Sequence, residues 1–125
     1  MIDENKMVEN ESSIDTSSVV IYVRESNHHN ATDGLERQKK RLIDYCQKHG
    51  CEVVGEYTVI GSRKEGLESL KKAIEYTKNS DTNILLMASI NRVVGTTEEM
   101  VMLSDMINKS DLIIATMDGS YESLI

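Results

Sequence analysis

The chain has 125 residues, a formal net charge of −7, two cysteines and no proline. That length suits one domain with its own core, and no apolar run approaches a membrane span. The acidic, polar start lacks the basic-then-apolar order of a signal peptide, so a cytoplasmic protein without membrane association is expected.

Residues 1–17 are rich in Glu, Asp, Asn and Ser. Asp3, Glu4, Glu9, Glu11 and Asp15 stand there against Lys6 alone. Such a segment cannot bury enough apolar surface to offset its ordering entropy and is expected to be a disordered acidic tail. Residues 18–125 form the domain proper. Val19–Val23 is a continuous apolar run, a strand buried on both faces. It leads directly into Arg24, Glu25 and Ser26. Asp33, with Glu36 three residues later, resembles a capping box. It opens a helix whose Leu35, Leu42, Ile43 and Cys46 recur at helical spacing, with Gly50 as a left-handed cap. This segment also carries Arg37, Lys39, Lys40, Arg41 and Lys48. A local basic face of this kind can meet phosphates in an otherwise acidic chain, or can simply be a solvated helix face.

Cys51–Ile60 reads as a second strand, rich in β-branched residues. The four-residue gap from Cys46 to Cys51 has no second pair to complete a zinc tetrahedron, so free thiols are expected. After a loop, Leu67, Leu70, Ala73, Ile74 and Thr77 share one helical face. Asn83–Ala88 is a third buried strand. Thr96 or Thr97 caps a helix bearing Met100, Leu103 and Ile107, and Asp111–Met117 is the fourth strand. Most of the seven methionines fall at core-facing positions.

Strand–helix alternation through four strands predicts a three-layer α/β fold with a mainly parallel sheet of four strands or slightly more. With strand order 2-1-3-4, ligands would bind at the carboxyl edge, between strands one and three. Arg24 and Ser26 leave one of those strands and Arg92 follows the other. Two guanidiniums and a hydroxyl in one crevice would suit a phosphate and a serine nucleophile. No G-x-G-x-x-G follows the first strand, which argues against a dinucleotide site. A phospho-receiver domain would need an aspartate where Ser89 and Asn91 stand. No His-Cys-carboxylate cluster supports a metal centre, and His28-His29 reads as a solvated loop pair.

Tyr22-Val23-Arg24-Glu25-Ser26, then Leu35-Glu36-Arg37-Gln38, then "ILLMASINRVVGTT" resemble the catalytic domain of serine recombinases, the resolvase/invertase family. The resemblance covers residues 19 to about 120. It implies site-specific DNA breakage and rejoining through a 5′-phosphoserine link, with no cofactor. Ser26 would be the nucleophile, Arg24 its phosphate-binding partner, Gln38 a supporting residue and Arg92 a second cation. Arg63 and Tyr22 would join the phosphate- and DNA-binding set. DNA would be the substrate partner, with self-association or pairing with a related recombinase.

This sequence departs from the family at Asn91 and Gly95, where the pattern has an aspartate and a second arginine. The acid-bearing loop after strand two is shortened. The long dimerisation helix and DNA-binding region that normally follow are expected to be missing, so DNA targeting would come from elsewhere. The alternative is therefore a degenerate recombinase-fold module that pairs with an active recombinase or another protein without cutting DNA.

Overall fold

The computed structural model describes residues 17–61 and 65–121. The acidic tail lies outside them except for Ser17, which belongs to the first strand. In chain order the elements are β1 (Ser17–Glu25), α1 (Ala31–His49), β2 (Cys51–Ile60), α2 (Gly66–Lys78), β3 (Ile84–Met87), a single 3-10 turn (Ile90–Arg92), α3 (Thr97–Ser110) and β4 (Ile113–Thr116). All neighbouring strands pair in parallel, in the order β2-β1-β3-β4. This is the expected 2-1-3-4 arrangement, with helices covering both faces.

Alternation along β1 builds the two cores. Val19, Ile21 and Val23 face α1 and pack with Leu35, Leu42 and Cys46. Val20 and Tyr22 face the other way, into a cluster with Leu70 and Ala73 of α2 and Leu103 of α3. β1 is central, so residues 19–24 are all buried. β2 lies at the sheet edge, and its residues alternate between half-buried and exposed along the whole strand. The methionines are less uniform than expected. Met87 is buried, whereas Met102 is 53% exposed on α3.

Helix α1 starts two residues before the expected cap. Asp33 sits inside its first turn, where a carboxylate favours the helix dipole. The entry is made by backbone instead: the Ala31 N–H donates to the His28 carbonyl at 3.0 Å and the Gly34 N–H to the Asn30 carbonyl at 3.1 Å. At the other end Gly50 adopts φ 74° and its N–H donates to the Cys46 carbonyl, the expected left-handed cap. Thr96 caps α3, accepting from the Glu99 N–H at 3.1 Å, while Glu99 Oε1 accepts from the Gly95 N–H at 2.7 Å.

The start of α2 presses on the 3-10 turn. A β-carbon placed on Gly66 would lie 2.5 Å from the Val93 carbonyl oxygen, a backbone atom with little room to move. Gly66→Ala should therefore push the turn that carries Arg92 and destabilise the domain by about 1–3 kcal/mol, the usual range for overpacking. A urea midpoint equal to that of the parent chain would show that the turn yields freely.

Candidate active site

The carboxyl edge of the sheet is open beside β1 because β3 is short. β3 pairs with β1 only at Val20–Leu85 and Ile21–Leu86. Arg24 turns its main-chain groups towards that open side. Gln38 of α1 fills it: the Arg24 N–H donates to Gln38 Oε1 at 3.2 Å, and Gln38 Nε2 donates to the Arg24 carbonyl at 2.7 Å. A buried side-chain amide thus takes the place of the next residue pair of a strand. On the other side, the Gly61 N–H donates to the Glu25 carbonyl at 3.1 Å and continues the ladder with β2.

The Arg24 side chain is buried on the Tyr22 face of the sheet, and its Nη2 donates to the Gly61 carbonyl at 2.7 Å. It therefore pins the start of the loop after β2. Arg63, two residues further on, lies outside the described residues. Tyr22, expected among the DNA-binding residues, is in the core instead. It is 0% exposed and stacks on Tyr57 at 6.2 Å between ring centroids. Strand alternation explains this, because a residue two before Arg24 in a central strand points into the α2/α3 layer. Burial pushes the Tyr22 phenol up to about 12, against the opposing pull of the Arg24 guanidinium.

Arg92 ends the 3-10 turn, and its N–H donates to the Ser89 carbonyl at 3.1 Å. Ser120 Oγ, from the segment after β4, accepts from the Ile90 N–H at 2.8 Å, and the Ser120 N–H donates to Asp118 Oδ1 at 2.9 Å. Hydrogen bonding from Ser120, its side chain before its backbone, holds the Asp118 carboxyl below its usual range. Arg92 reaches towards α1 and lines a cavity of about 170 Å³ with Gln38, Arg37, Arg41, Gly34 and Glu25. Ser26 directly follows β1 and is exposed; its N–H donates to Glu25 Oε1 at 3.2 Å. His28 Nδ1 accepts from the Asn30 N–H at 3.1 Å, and its Nε2 lies 3.7 Å from Glu25 Oε1.

Gln38 and Arg92 are thus brought together, whereas Arg24 and Ser26 do not line that cavity. The expected single crevice divides because Arg24 belongs to the opposite face of β1. In the sequence Arg37 and Arg41 stand out only as part of a basic face. Their spacing from Gly34 and Gln38 on α1 was the signal that they share a side. A second cavity, of about 340 Å³, is lined by Arg41, Asp44, Tyr45, Lys48, His49 and Met117. The cysteines are free, and burial pushes the Cys46 thiol up to about 12 and raises Cys51 as well, so neither offers a ready thiolate. Among the described residues no group of three or more His, Cys, Asp or Glu could hold a metal ion, and no helix is long and apolar enough to cross a membrane.

The family model "Resolvase, N terminal domain" matches residues 19–124. The chain belongs to this family. The resolvase domain is also similar to solved structures. The N-terminal catalytic domain of TP901-1 integrase is 22% identical, with a TM-score of 0.67 over 83% of this chain and 79% of that one. The C-terminal catalytic domain of ISC1926 TnpA, an IS607-like serine recombinase, is 25% identical, with a TM-score of 0.59 over 80% of this chain and 67% of that one. A resolvase family site-specific recombinase from Streptococcus pneumoniae is 19% identical, with a TM-score of 0.64 over 86% and 76%. No curated protein sequence matches this resolvase domain.

Two outcomes follow for this resolvase domain. Gln38→Ala strands the Arg24 N–H and carbonyl, and each buried group left unpaired costs roughly 1–3 kcal/mol. A loss of about 2–4 kcal/mol in urea unfolding is expected; a loss below 1 kcal/mol would mean that water replaces the amide. The second concerns alkali. Tyr22 holds its proton more tightly folded than unfolded, where a tyrosine titrates near 10. Its contribution is complete below about pH 10 and is lost as pH rises through about 12, up to roughly 3 kcal/mol. Tyr22→Phe should lose less stability between pH 9 and 11.5 than the parent chain, and identical declines would place the phenol in water.

Proposed function

We propose that the domain is the catalytic module of a serine recombinase, with Ser26 as the nucleophile towards a DNA phosphodiester. The observation that carries this reading is that Ser26 leaves the central strand at the same sheet edge as the arginine-lined cavity, in a chain of the resolvase family. Ser26 Oγ would bond to phosphorus and lose its proton. The 3′ oxygen would leave with the electrons of the broken P–O bond and take up a proton, giving a 5′-phosphoserine ester and a free 3′ hydroxyl. Reversal on an exchanged end would rejoin the strand. No net oxidation or hydrolysis is involved, and the bond energy is kept in the ester.

Arg92 would stabilise the charge that gathers on the non-bridging oxygens. Arg24 would act from beneath; its Nε has no hydrogen-bond partner among the described residues, so the guanidinium keeps a free donor. Gln38 would be a positioning residue through the Arg24 backbone, and Arg63 is retained as a further candidate cation. DNA would be the substrate, at a cytoplasmic site of action. Exchange of ends would need self-association or pairing with a related recombinase.

A second reading is a recombinase-fold module that binds without cutting. Asn91 and Gly95 favour it, because both are exposed, line a separate cavity with Thr96, Thr97 and Met100, and supply neither the acid nor the extra cation of the family pattern. The two readings are separated by fusing the chain to a sequence-specific DNA-binding domain with a dimerisation helix and assaying covalent capture of a target duplex. Weak capture is expected in the unaltered fusion, resistant to denaturant, removed by protease and absent in Ser26→Ala. Arg92→Ala should lower it about 10²–10³-fold, the usual effect of losing one charge-stabilising donor. Gly95 has no positive φ, so Gly95→Arg is compatible with the backbone and should raise capture. Capture that survives in Ser26→Ala would remove the nucleophile, and none in any variant would favour the binding module.

A further inference from the structure

The lysines and arginines of α1 are treated differently by their surroundings. Lys39 Nζ lies 3.4 Å from Glu36 Oε2 and 3.3 Å from Glu56 Oε1, and Lys40 Nζ lies 3.8 Å from Asp44 Oδ2. Arg37 and Arg41 have no ion-pair partner among the described residues, and neither has Arg92. Yet these three guanidiniums line one cavity.

Unpaired like charges repel where they converge, most of all in a shielded pocket. In a chain of net charge −7 there is no shortage of carboxylates to pair with them. The one carboxylate on the cavity, Glu25, is instead turned to the Ser26 N–H at 3.2 Å and to His28 Nε2 at 3.7 Å. Arg92 Nε is shielded from solvent and donates to nothing among the described residues. Buried N–H donors are normally paired, so this one points to an acceptor supplied from outside. The cavity, about 170 Å³, has room for a phosphate group with some water, since one water takes about 30 Å³. Arg37 and Arg41 are one helical turn apart and offer two planar forks from the same side.

We propose that this cavity seats a DNA backbone phosphodiester, with Arg37 and Arg41 of α1 joining Arg92 as the phosphate-binding cations. The assignment rests on the recombinase reading for the choice of DNA, but adds two cations from a helix that otherwise supplies only the positioning residue Gln38. Arg41 also lines the neighbouring cavity, whose lining is mixed in charge, with Lys48 and His49 beside Asp44.

The test uses the full chain and a 20-base-pair duplex at low salt, read by fluorescence anisotropy. Arg37 and Arg41 are exposed and hold no other element, so Arg37→Gln and Arg41→Gln should fold normally. Each should weaken binding about 3–10-fold and reduce the salt slope by about 0.9, the value for one phosphate contact on B-DNA. Lys40→Gln removes the same charge from a paired lysine of the same helix and should change binding less than about 2-fold. In a parallel titration with dimethyl phosphate, the arginine Nε–Hε resonances of the parent chain should shift at Arg37, Arg41 and Arg92. Arginine variants no weaker than Lys40→Gln, or arginine resonances unmoved by dimethyl phosphate, would overturn the seat. Arginine-dependent binding without Ser26-dependent capture would keep the seat and remove the recombination chemistry. Capture indifferent to both arginines would do the reverse.

Discussion

The amide of Gln38 does for the end of β1 what one more residue pair of β3 would otherwise do. A strand in the middle of a parallel sheet must satisfy main-chain groups on both sides, and β3 ends before it can reach Arg24. By supplying both a donor and an acceptor from α1, Gln38 lets β1 run on past its neighbour. The gap beside it is where a side chain from the 3-10 turn meets α1. The strand end that borders Arg92, Arg37 and Arg41 is thus closed by a pair of hydrogen bonds that involve none of the three guanidiniums.

The same strand end divides its side chains between two layers. Glu25 goes to the α1 side, beside Gly34, while Arg24 goes to the α2/α3 side and holds the Gly61 carbonyl. Strand periodicity fixes this division, since neighbours in a strand point to opposite faces. It separates a buried cation that braces the backbone from a cavity whose cations are free of partners. A guanidinium suits both tasks, because it stays charged when buried and presents its donors as a rigid fork.

The strand order and the extent of β2, Cys51–Ile60, were legible in the sequence, because apolar runs, helical spacing and Gly50 all pointed the same way. The start of α1 was not, since Asp33 looked like a cap while backbone bonds from His28 and Asn30 had already begun the helix. Tyr22 misled because a tyrosine in a motif can be read as a ligand, whereas a central strand buries alternate residues whatever they carry. Arg37 and Arg41 were visible as charges, but not as unpaired ones. Whether a surface cation has a carboxylate in reach depends on contacts such as Lys39 with Glu56, which join α1 to β2 and have no sequence spacing to betray them.

The proposed nucleophile and the proposed cations are held to different standards of rigidity, and the chemistry gives a reason. Arg92 rides on a turn capped by Ser89, tied to Ser120 and pressed by Gly66, so two other segments help to set its position. Ser26 sits in an exposed stretch whose described bonds are local, to Glu25 and around His28. Charge stabilisation works only when the donors are in place before the charge develops, because reorganising them would cost what they contribute. A nucleophile needs only to reach its near-attack position when the substrate is seated. Arg37 and Arg41, exposed and long, would lose side-chain entropy on closing on a phosphate. Under the proposed function their contribution would fall mainly on capture and affinity, and the fixed Arg92 would be left to act on the transition state.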